Sequence, residues 1–386
     1  MAIEAIDVKG YRSIRDLYLQ LGRINVLVGP NACGKSNLYN AMYLLHAAAG
    51  GQFAQAIATE GGMASALWAG GDHEQMISYR SKGPVRMHLG VTVDNTAYHL
   101  SCGLPIKGES FNPFTVDPLK GEDYDPFILD PRIKEETVHF INGKKRTQLL
   151  DRNRSSVWLR DSNGDKTSFS QALSPMESVI SQLREPHRFP QLSMLREHFL
   201  TWRFYHQFRT DSASAIREPR AGTLTPVISH DGHDLAAALI TIQCMGDWKN
   251  LNRSIDQGLG GANLEIADDR GYFELMLRTP GVYRPLTGRE LSDGTLRYLC
   301  LLAALLSPHP PKLLALNEPE TSLHPDLLEP LAELIVKASI KSQIWITTHS
   351  SALAGYIEKH SGIPAIRLEK VDGATTIVGD MFRDVV

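Results

Sequence analysis

The spacing of apolar residues changes period several times along the chain. AIEAIDVKGY and INVLVG read as strands, with RSIRDLYLQLG between them. Ile24 to Val28 is a continuous apolar run of strand length, and Ser36 to Ala49, rich in Ala, Leu and Met, reads as a helix. A glycine-punctuated stretch follows and reads as loop with short helix. The period then falls to two: VRMHLGVTVD and TAYHLSCGL, joined at Asp94-Asn95, predict an antiparallel pair. Asn142-Gly143 and Asn163-Gly164 mark two further hairpins. Residues 110–131 lack periodicity and read as an irregular excursion. Helical spacing runs from Ser174 to Phe208, interrupted near Pro186 and Pro190, and again from Asp234 to Asp247; YFELMLR is a strand.

Towards the C-terminus the pattern alternates: GTLRYLCLLAALL as helix, KLLALNE as strand, LLEPLAELIVKASI as helix, SQIWITTHS as strand. Such alternation predicts a mostly parallel sheet with right-handed crossovers. The expected architecture is an α/β core made of residues 1–80 and 285–386. Residues 81–284 would form an inserted lobe of antiparallel sheet and helices. No internal repeat and no long heptad run is present.

Composition narrows the class. The chain has 386 residues, with 40 Lys and Arg against 43 Asp and Glu, a net charge of −3. No global positive charge points to nucleic acid, so any DNA contact must come from a local patch. The four cysteines (Cys33, Cys102, Cys244, Cys300) are scattered without a C-x-x-C pair, which suits a reducing compartment without structural zinc. The start, MAIEAIDVKG, lacks an apolar secretion core, and YLCLLAALL is too short to span a bilayer. A soluble, cytoplasmic protein with no membrane partner is expected.

The stretch GPNACGKSN carries the first chemistry. Gly29 and Gly34 bracket Pro30, Asn31, Ala32 and Cys33, and Lys35, Ser36 and Asn37 follow, giving G-x-x-x-x-G-K-S between a strand and a helix. Glycines let the backbone turn its N–H groups inward, and the helix start adds a positive dipole end. Lys35 would reach the β- and γ-phosphates of a nucleotide, and the Ser36 hydroxyl would ligate Mg²⁺. Cys33 is either a thiol activated by the helix start or simply a small loop residue.

Three further pieces lie far downstream. The strand of LLALNEPE ends with Asn317 on the metal side and Glu318 where a general base belongs; the bland alternative is a solvated strand end. ELSDGTLRYL opens a second helix with Ser292, Asp293 and Gly294, an anion-binding start or an ordinary N-cap. WITTHS places His349 at the end of a buried strand, either as a structural histidine or as a γ-phosphate contact. SLHPD follows Glu318, with Pro325 fitted to a helix start.

In this order the motifs resemble those of ABC-type ATPases of the RecF/SMC group, and more narrowly the bacterial ATPases called AAA_21 or RecF-like. The opening GYRSIRDLYLQLGRINVLVGPN is similar too. The likeness is specific over residues 1–50 and 285–355 and loose between them. It implies a P-loop NTPase head with ATP and Mg²⁺ as cofactors, in which two copies sandwich two ATP molecules. Ser292, Asp293 and Gly294 of one copy would then meet the phosphate held by Lys35 of the other. By the same analogy Arg12 approaches the phosphates, though it could equally be a surface arginine, and Gln75 is the candidate for the glutamine that senses Mg²⁺. The family's metal-side residue is usually aspartate; Asn317 brings no charge, so slow turnover is expected.

Residues 132–160 hold eight Lys or Arg (Arg132, Lys134, Lys144, Lys145, Arg146, Arg152, Arg154, Arg160) against three acids. A basic β-ribbon could track a phosphate backbone without reading sequence, with Lys144, Lys145, Arg146, Arg152 and Arg154 as contacts; a solvated hairpin is the alternative. The resemblance suggests a homodimeric switch on DNA in repair or genome maintenance. A second reading is an ATP-gated scaffold for a separate nuclease or toxin in phage defence. With a short stretch after His349, the nuclease domain of OLD-type relatives is not expected here, and any effector is expected to be another chain. A transporter ATPase is disfavoured by the long separation of Lys35 from Leu291.

Overall fold

A computed structural model describes residues 2–70, 86–105, 127–169 and 173–379. The chain begins with strands β1 (Ile3–Tyr11), β2 (Ile14–Gln20) and β3 (Ile24–Val28). Helices α1 (Lys35–Gly50), α2 (Phe53–Thr59) and α3 (Met63–Ala66) come next. Strands β4 (Met87–Val93), β5 (Thr96–Gly103), β6 (Arg132–Asn142), β7 (Lys145–Asn153), β8 (Ser156–Arg160) and β9 (Lys166–Phe169) lead to α4 (Val179–Gln182) and α5 (Pro190–Leu200). Two short strands, β10 (Arg203–Tyr205) and β11 (Arg220–Ala221), precede α6 (Leu235–Met245) and α7 (Trp248–Gly258). Then come β12 (Asn263–Asp269), β13 (Tyr272–Arg278), β14 (Leu286–Thr287), α8 (Asp293–Leu305), β15 (Leu313–Asn317) and α9 (Leu328–Ala338). The series closes with β16 (Gln343–Thr348), α10 (Ser351–Ser361), β17 (Ile366–Val371) and β18 (Ala374–Ile377).

The chain divides into two compact units. One gathers residues 1–22, 30–201 and 368–386. Its sheet is antiparallel in the order β2-β1-β4-β5-β6-β7-β8-β9. Alternation fixes the faces: Leu89, Val91, Tyr98, Leu100 and Val138 are buried, while Asp94-Asn95 and Asn142-Gly143 turn the hairpins, Asp94 and Gly143 having positive φ. Helices α1 and α5 are tied by His46, whose Nδ1 donates to the Phe199 carbonyl at 2.8 Å, and the Phe199 ring meets Tyr98 edge-on at 5.6 Å.

In the same unit, the expected basic ribbon is built differently from the sequence reading. Lys144, Lys145, Arg146 and Arg154 are exposed, but Arg152 is 1 % exposed and Arg132 and Lys134 are buried. Arg152 donates to the carbonyls of Arg154, Glu177 and Ser174, and its Nη1 lies 3.8 Å from the buried Glu136 carboxylate. It is a structural cation, not a phosphate contact. Register is the cause: Arg152 pairs with Glu136 across β6 and β7, on the face turned to the interior. Burial pushes the Glu136 carboxyl up, and hydrogen bonds from Ser178 and the Val179 amide, with Arg152, pull it back.

The other unit gathers residues 23–29 and 202–367. Its central sheet is parallel, in the order β10-β15-β16-β3, with the first residues of β17 alongside β3. The strands are nearly continuous apolar runs, as a sheet without a solvated face requires. Their side chains join those of α6, α8, α9 and α10 in one core that includes Val26, Leu239, Leu299, Leu316, Leu331, Ile346 and Leu353. A small antiparallel sheet, β11-β13-β12 with β14 on β13, packs against α6 and α7. The expected mostly parallel α/β sheet accompanied by antiparallel strands and helices is what the chain forms. Strand β10, which falls inside the span read as helical, and strand β12 and helices α7 and α10 escaped the apolar-period reading.

Arg152→Met leaves Glu136 buried without its cation. It should lower stability by about 3–5 kcal/mol, measured by chemical denaturation, and Glu136→Gln in the same chain should recover part of the loss. A loss below the error of the measurement would contradict the structural role.

Candidate functional site

The cradle starts where β3 ends. Ala32 (φ 63°) and Gly34 (φ 106°) are left-handed, the kind of turn from which anion-binding concavities are built. At Gly34 glycine is required: a Cβ would lie 2.0 Å from Thr375 Oγ1 and 2.9 Å from Ser13 Oγ. Those two hydroxyls bond each other at 2.7 Å, and Asn37 Nδ2 donates to Ser13 Oγ at 2.7 Å. Ser13, Asn37 and Thr375 thus brace the loop; Ser13 and Thr375 had no signal in the sequence beyond being small and polar.

Lys35 is buried, and its Nζ donates to the Pro30 carbonyl at 3.0 Å with Cys33 Sγ at 3.8 Å. Cys33 is itself buried, which fits the small-residue reading of that position. The first turn of α1 has neither a side-chain cap nor an acidic residue, so nothing there opposes the positive end of the helix dipole that favours an anion. These features fit a nucleotide triphosphate chain. Gly29, Pro30 and Asn31 occupy the remaining loop positions, and Ser36 is the second residue of α1.

Arg12 also has positive φ (47°), and its Nη2 lies 3.1 Å from Glu60 Oε2. Tyr11 donates to both oxygens of Glu60 at 2.8 Å. Burial raises the Glu60 pKa, and the Tyr11 hydroxyl and Arg12 lower it in part. Arg12 therefore stands one residue from Ser13, a brace of the cradle. Gln75 lies outside the described residues.

In the parallel sheet the register sets the chemistry at the C-terminal edge. Val28 pairs with Thr348, and Asn317 pairs with Thr347. Gly29, Glu318 and His349, each the next residue of its strand, leave the sheet side by side. Glu318 has positive φ (47°), uncommon for a residue with a side chain. Its amide donates to the Thr347 carbonyl at 2.8 Å, and its carbonyl accepts from Arg297 Nη2 at 2.9 Å. In this conformation Glu318 Oε1 meets His349 Nε2 at 2.7 Å, both side chains half-exposed. Asn317 Oδ1 accepts from Thr347 Oγ1 at 2.7 Å. Glu320 Oε1 accepts from Thr348 Oγ1 and from the amides of His349 and Ser350, holding the turn that carries the histidine.

The start of α8 lies against the segment after Glu318: a Cβ on Gly294 would stand 2.5 Å from the Ser322 carbonyl oxygen. Ser292 caps α8, its Oγ accepting from the Thr295 amide at 3.1 Å, and Ser292 and Asp293 are exposed. Behind them, the buried guanidinium of Arg217 donates to the carbonyls of Thr210, Asp211, Gly288 and Leu291 and bonds Asp293 Oδ1 at 2.6 Å. Sequence reading missed Arg217, Arg297 and Glu320. Arg297 left a trace, a lone cation inside the apolar run of α8; Arg217, far upstream of the segment it organises, left none. Pro325 opens a 3₁₀ turn capped by His324, the structural role open to SLHPD. Among the described residues no group of three His, Cys, Asp or Glu is placed to hold a metal, and no helix is long and apolar enough to cross a membrane.

A family described as "AAA domain, putative AbiEii toxin, Type IV TA system" (AAA_21) has a model that matches residues 24–354. The chain belongs to this family. The match runs from β3, ahead of the cradle, past His349, and so takes in residues 29–37, 292–294, 317–318 and 349, while Arg12, Ser13 and Thr375 lie outside it. No curated protein matches the chain. Among solved structures, an SMC head bound to the C-winged helix domain of ScpA aligns with TM-score 0.48 and 16% identity over 98% of both chains. An SMC head domain from Thermotoga maritima gives 0.42 and 16% over 98% of both. An Smc head with an extended coiled coil, bound to the C-terminal domain of ScpA derived from Pyrococcus furiosus, gives 0.47 and 15% over 98% of this chain and 96% of that one. These are distant likenesses; the assignment of this AAA-type ATPase rests on the family match.

Arg217→Met should destabilise the chain by about 2–3 kcal/mol, since several buried carbonyls lose a charged donor. Hydrogen exchange at the amides of residues 291–295 should rise in the variant. Unchanged exchange there would show that Arg217 does not hold this segment.

Proposed function

We propose that the chain binds and hydrolyses ATP, and that two copies close on the nucleotide as a switch. The observation that supports this most is the strand register that brings Gly29, Glu318 and His349 to one edge of a parallel sheet, the edge at which α/β sheets receive ligands.

In this reading the loop of residues 29–37 holds the triphosphate, with Lys35 moving from the Pro30 carbonyl to the β- and γ-phosphates, and Arg12 supports the phosphates from beside Ser13. Mg²⁺ would be held by the Ser36 hydroxyl and phosphate oxygens, with Asn317 on its outer side, and would offset the charge of the phosphates. Few protein ligands are needed, because Mg²⁺ enters with the nucleotide and keeps several waters. Glu318 orients the attacking water and accepts its proton, and His349, 2.7 Å away, steadies the carboxylate and contacts the γ-phosphate. The amide at Asn317 supplies no charge, so slow turnover is the expectation.

The exposed start of α8 suits contact from a second copy. Ser292, Asp293 and Gly294 form the start of α8, with the Ser292 hydroxyl at the surface and the Asp293 carboxylate paired with Arg217. A γ-phosphate recognised by Lys35 of one copy and Ser292 of the other would favour the closed pair only while it is intact. Lys144, Lys145, Arg146 and Arg154 remain as an exposed cationic group for DNA, which supports the genome-maintenance reading. The family's description, with its toxin and its toxin–antitoxin system, favours the second reading, an ATP-gated scaffold for a separate effector.

Glu318→Gln should reduce ATP turnover by about 10²-fold or more, the scale of a lost general base, while ATP-dependent dimers persist in light scattering. Turnover equal to that of the unaltered chain would remove Glu318 from the mechanism.

A further inference from the structure

We propose that a groove at the opposite edge of the parallel sheet receives an acidic amphipathic helix from a separate protein. The groove encloses about 550 Å³, within the range of built binding sites. Its floor is apolar, formed by Ala304, Leu305, Leu314, Leu334 and Ala338. Met245 and Trp248 stand at its lip, 50% and 49% exposed, which is unusual for such large side chains.

Charge selects the occupant. Lys249, Lys337 and Lys341 line the groove and are exposed. Lys249 Nζ lies 5.8 Å from the centre of the Trp248 ring. The acid in the lining is Asp247, and its carboxylate is already engaged as the cap of α7, accepting from the amide and the side-chain nitrogen of Asn250. An incoming segment therefore meets an apolar floor under three ammonium groups, and must bring apolar side chains flanked by Asp or Glu.

Backbone pairing selects its form. Leu314, the strand residue in the lining, is paired on both sides, with Arg203 and with Ile344. Strand β15 therefore offers no open edge in the groove, and the terminal strand β10 does not line it, so a helix laid in the groove is the mode that fits.

The location adds a consequence. Leu314 is near the start of β15 and Ser342 directly precedes β16, so the groove lies at the N-terminal ends of strands whose C-terminal ends carry Asn317 and His349. Helix α8 begins at the exposed Ser292–Gly294 segment and ends at Leu305 on the groove floor, a span of about 20 Å at 1.5 Å per residue. A partner seated in the groove would touch the far end of the helix that a second copy reads. The docking itself does not depend on the ATPase reading.

The test uses the full chain and a labelled peptide of roughly sixteen residues, long enough to hold a helix, with leucines on one face and glutamates elsewhere. Fluorescence anisotropy should show saturable binding that salt weakens. The double variant Lys337→Glu, Lys341→Glu should bind it roughly tenfold more weakly or worse, with ATP binding unchanged. The same peptide with lysine in place of glutamate should prefer the double variant. Trp248→Ala, on the exposed lip, should also weaken binding. Absence of binding by the acidic peptide, equal binding of both peptides, or indifference to charge reversal would overturn the proposal. So would self-association of the chain abolished by the double variant, which would assign the groove to a second copy.

Discussion

The parallel pairing of β3, β15 and β16 is the constraint on which the site depends. Parallel strands paired residue by residue must end together, and Val28 beside Thr348 with Asn317 beside Thr347 forces the segments that follow to leave the sheet as neighbours. Residues widely separated in sequence, Gly29, Glu318 and His349, are assembled by backbone hydrogen bonds alone. Both faces of these strands are buried, so the alignment is held by the ladder bonds together with the close packing of each side chain in the core.

At the ends of those strands the backbone takes conformations that side chains rarely adopt. Ala32, Glu318 and Ser322 all have positive φ, each at a cost of order 1–3 kcal/mol. Local contacts hold Glu318 and the loop at Gly34. Thr347 and Arg297 fix Glu318 from its two sides, and Ser13 and Thr375 close over Gly34. Three buried arginines share one pattern: Arg152, Arg217 and Arg297 point guanidinium groups at main-chain carbonyls, each ordering a loop. Arginine suits this because its planar fork can reach several carbonyls while remaining charged.

Much of this was legible in the sequence, for a physical reason. INVLV, KLLALNE and SQIWITTHS read as strands because a sheet buried on both faces needs unbroken apolar runs, and the hairpins at Asn142-Gly143 and Asn163-Gly164 because their turns need residues tolerant of positive φ. The glycine pattern of residues 29–36 likewise reflects a loop that admits no Cβ at Gly34. What escaped was long-range. Arg217 and Thr375 act on segments distant in the chain, and no local period encodes such contacts. Helix α7 was missed because its polar face breaks up the apolar run, with Leu251 and Ile255 buried among exposed neighbours. Local charge counting also failed at Arg152, where strand register turned a cation of an apparently basic ribbon inwards onto Glu136.

The proposed function turns on nucleotide sites shared between two copies, with the loop of one chain completed by Ser292 of the other. Mixing is the most direct measurement. Lys35→Ala chains and Ser292→Arg chains would each be assayed for ATP turnover alone and then combined. Both should be inactive alone, and the mixture should regain a measurable fraction, because a mixed pair contains one site with both residues intact. A mixture as inactive as its components would contradict the shared site.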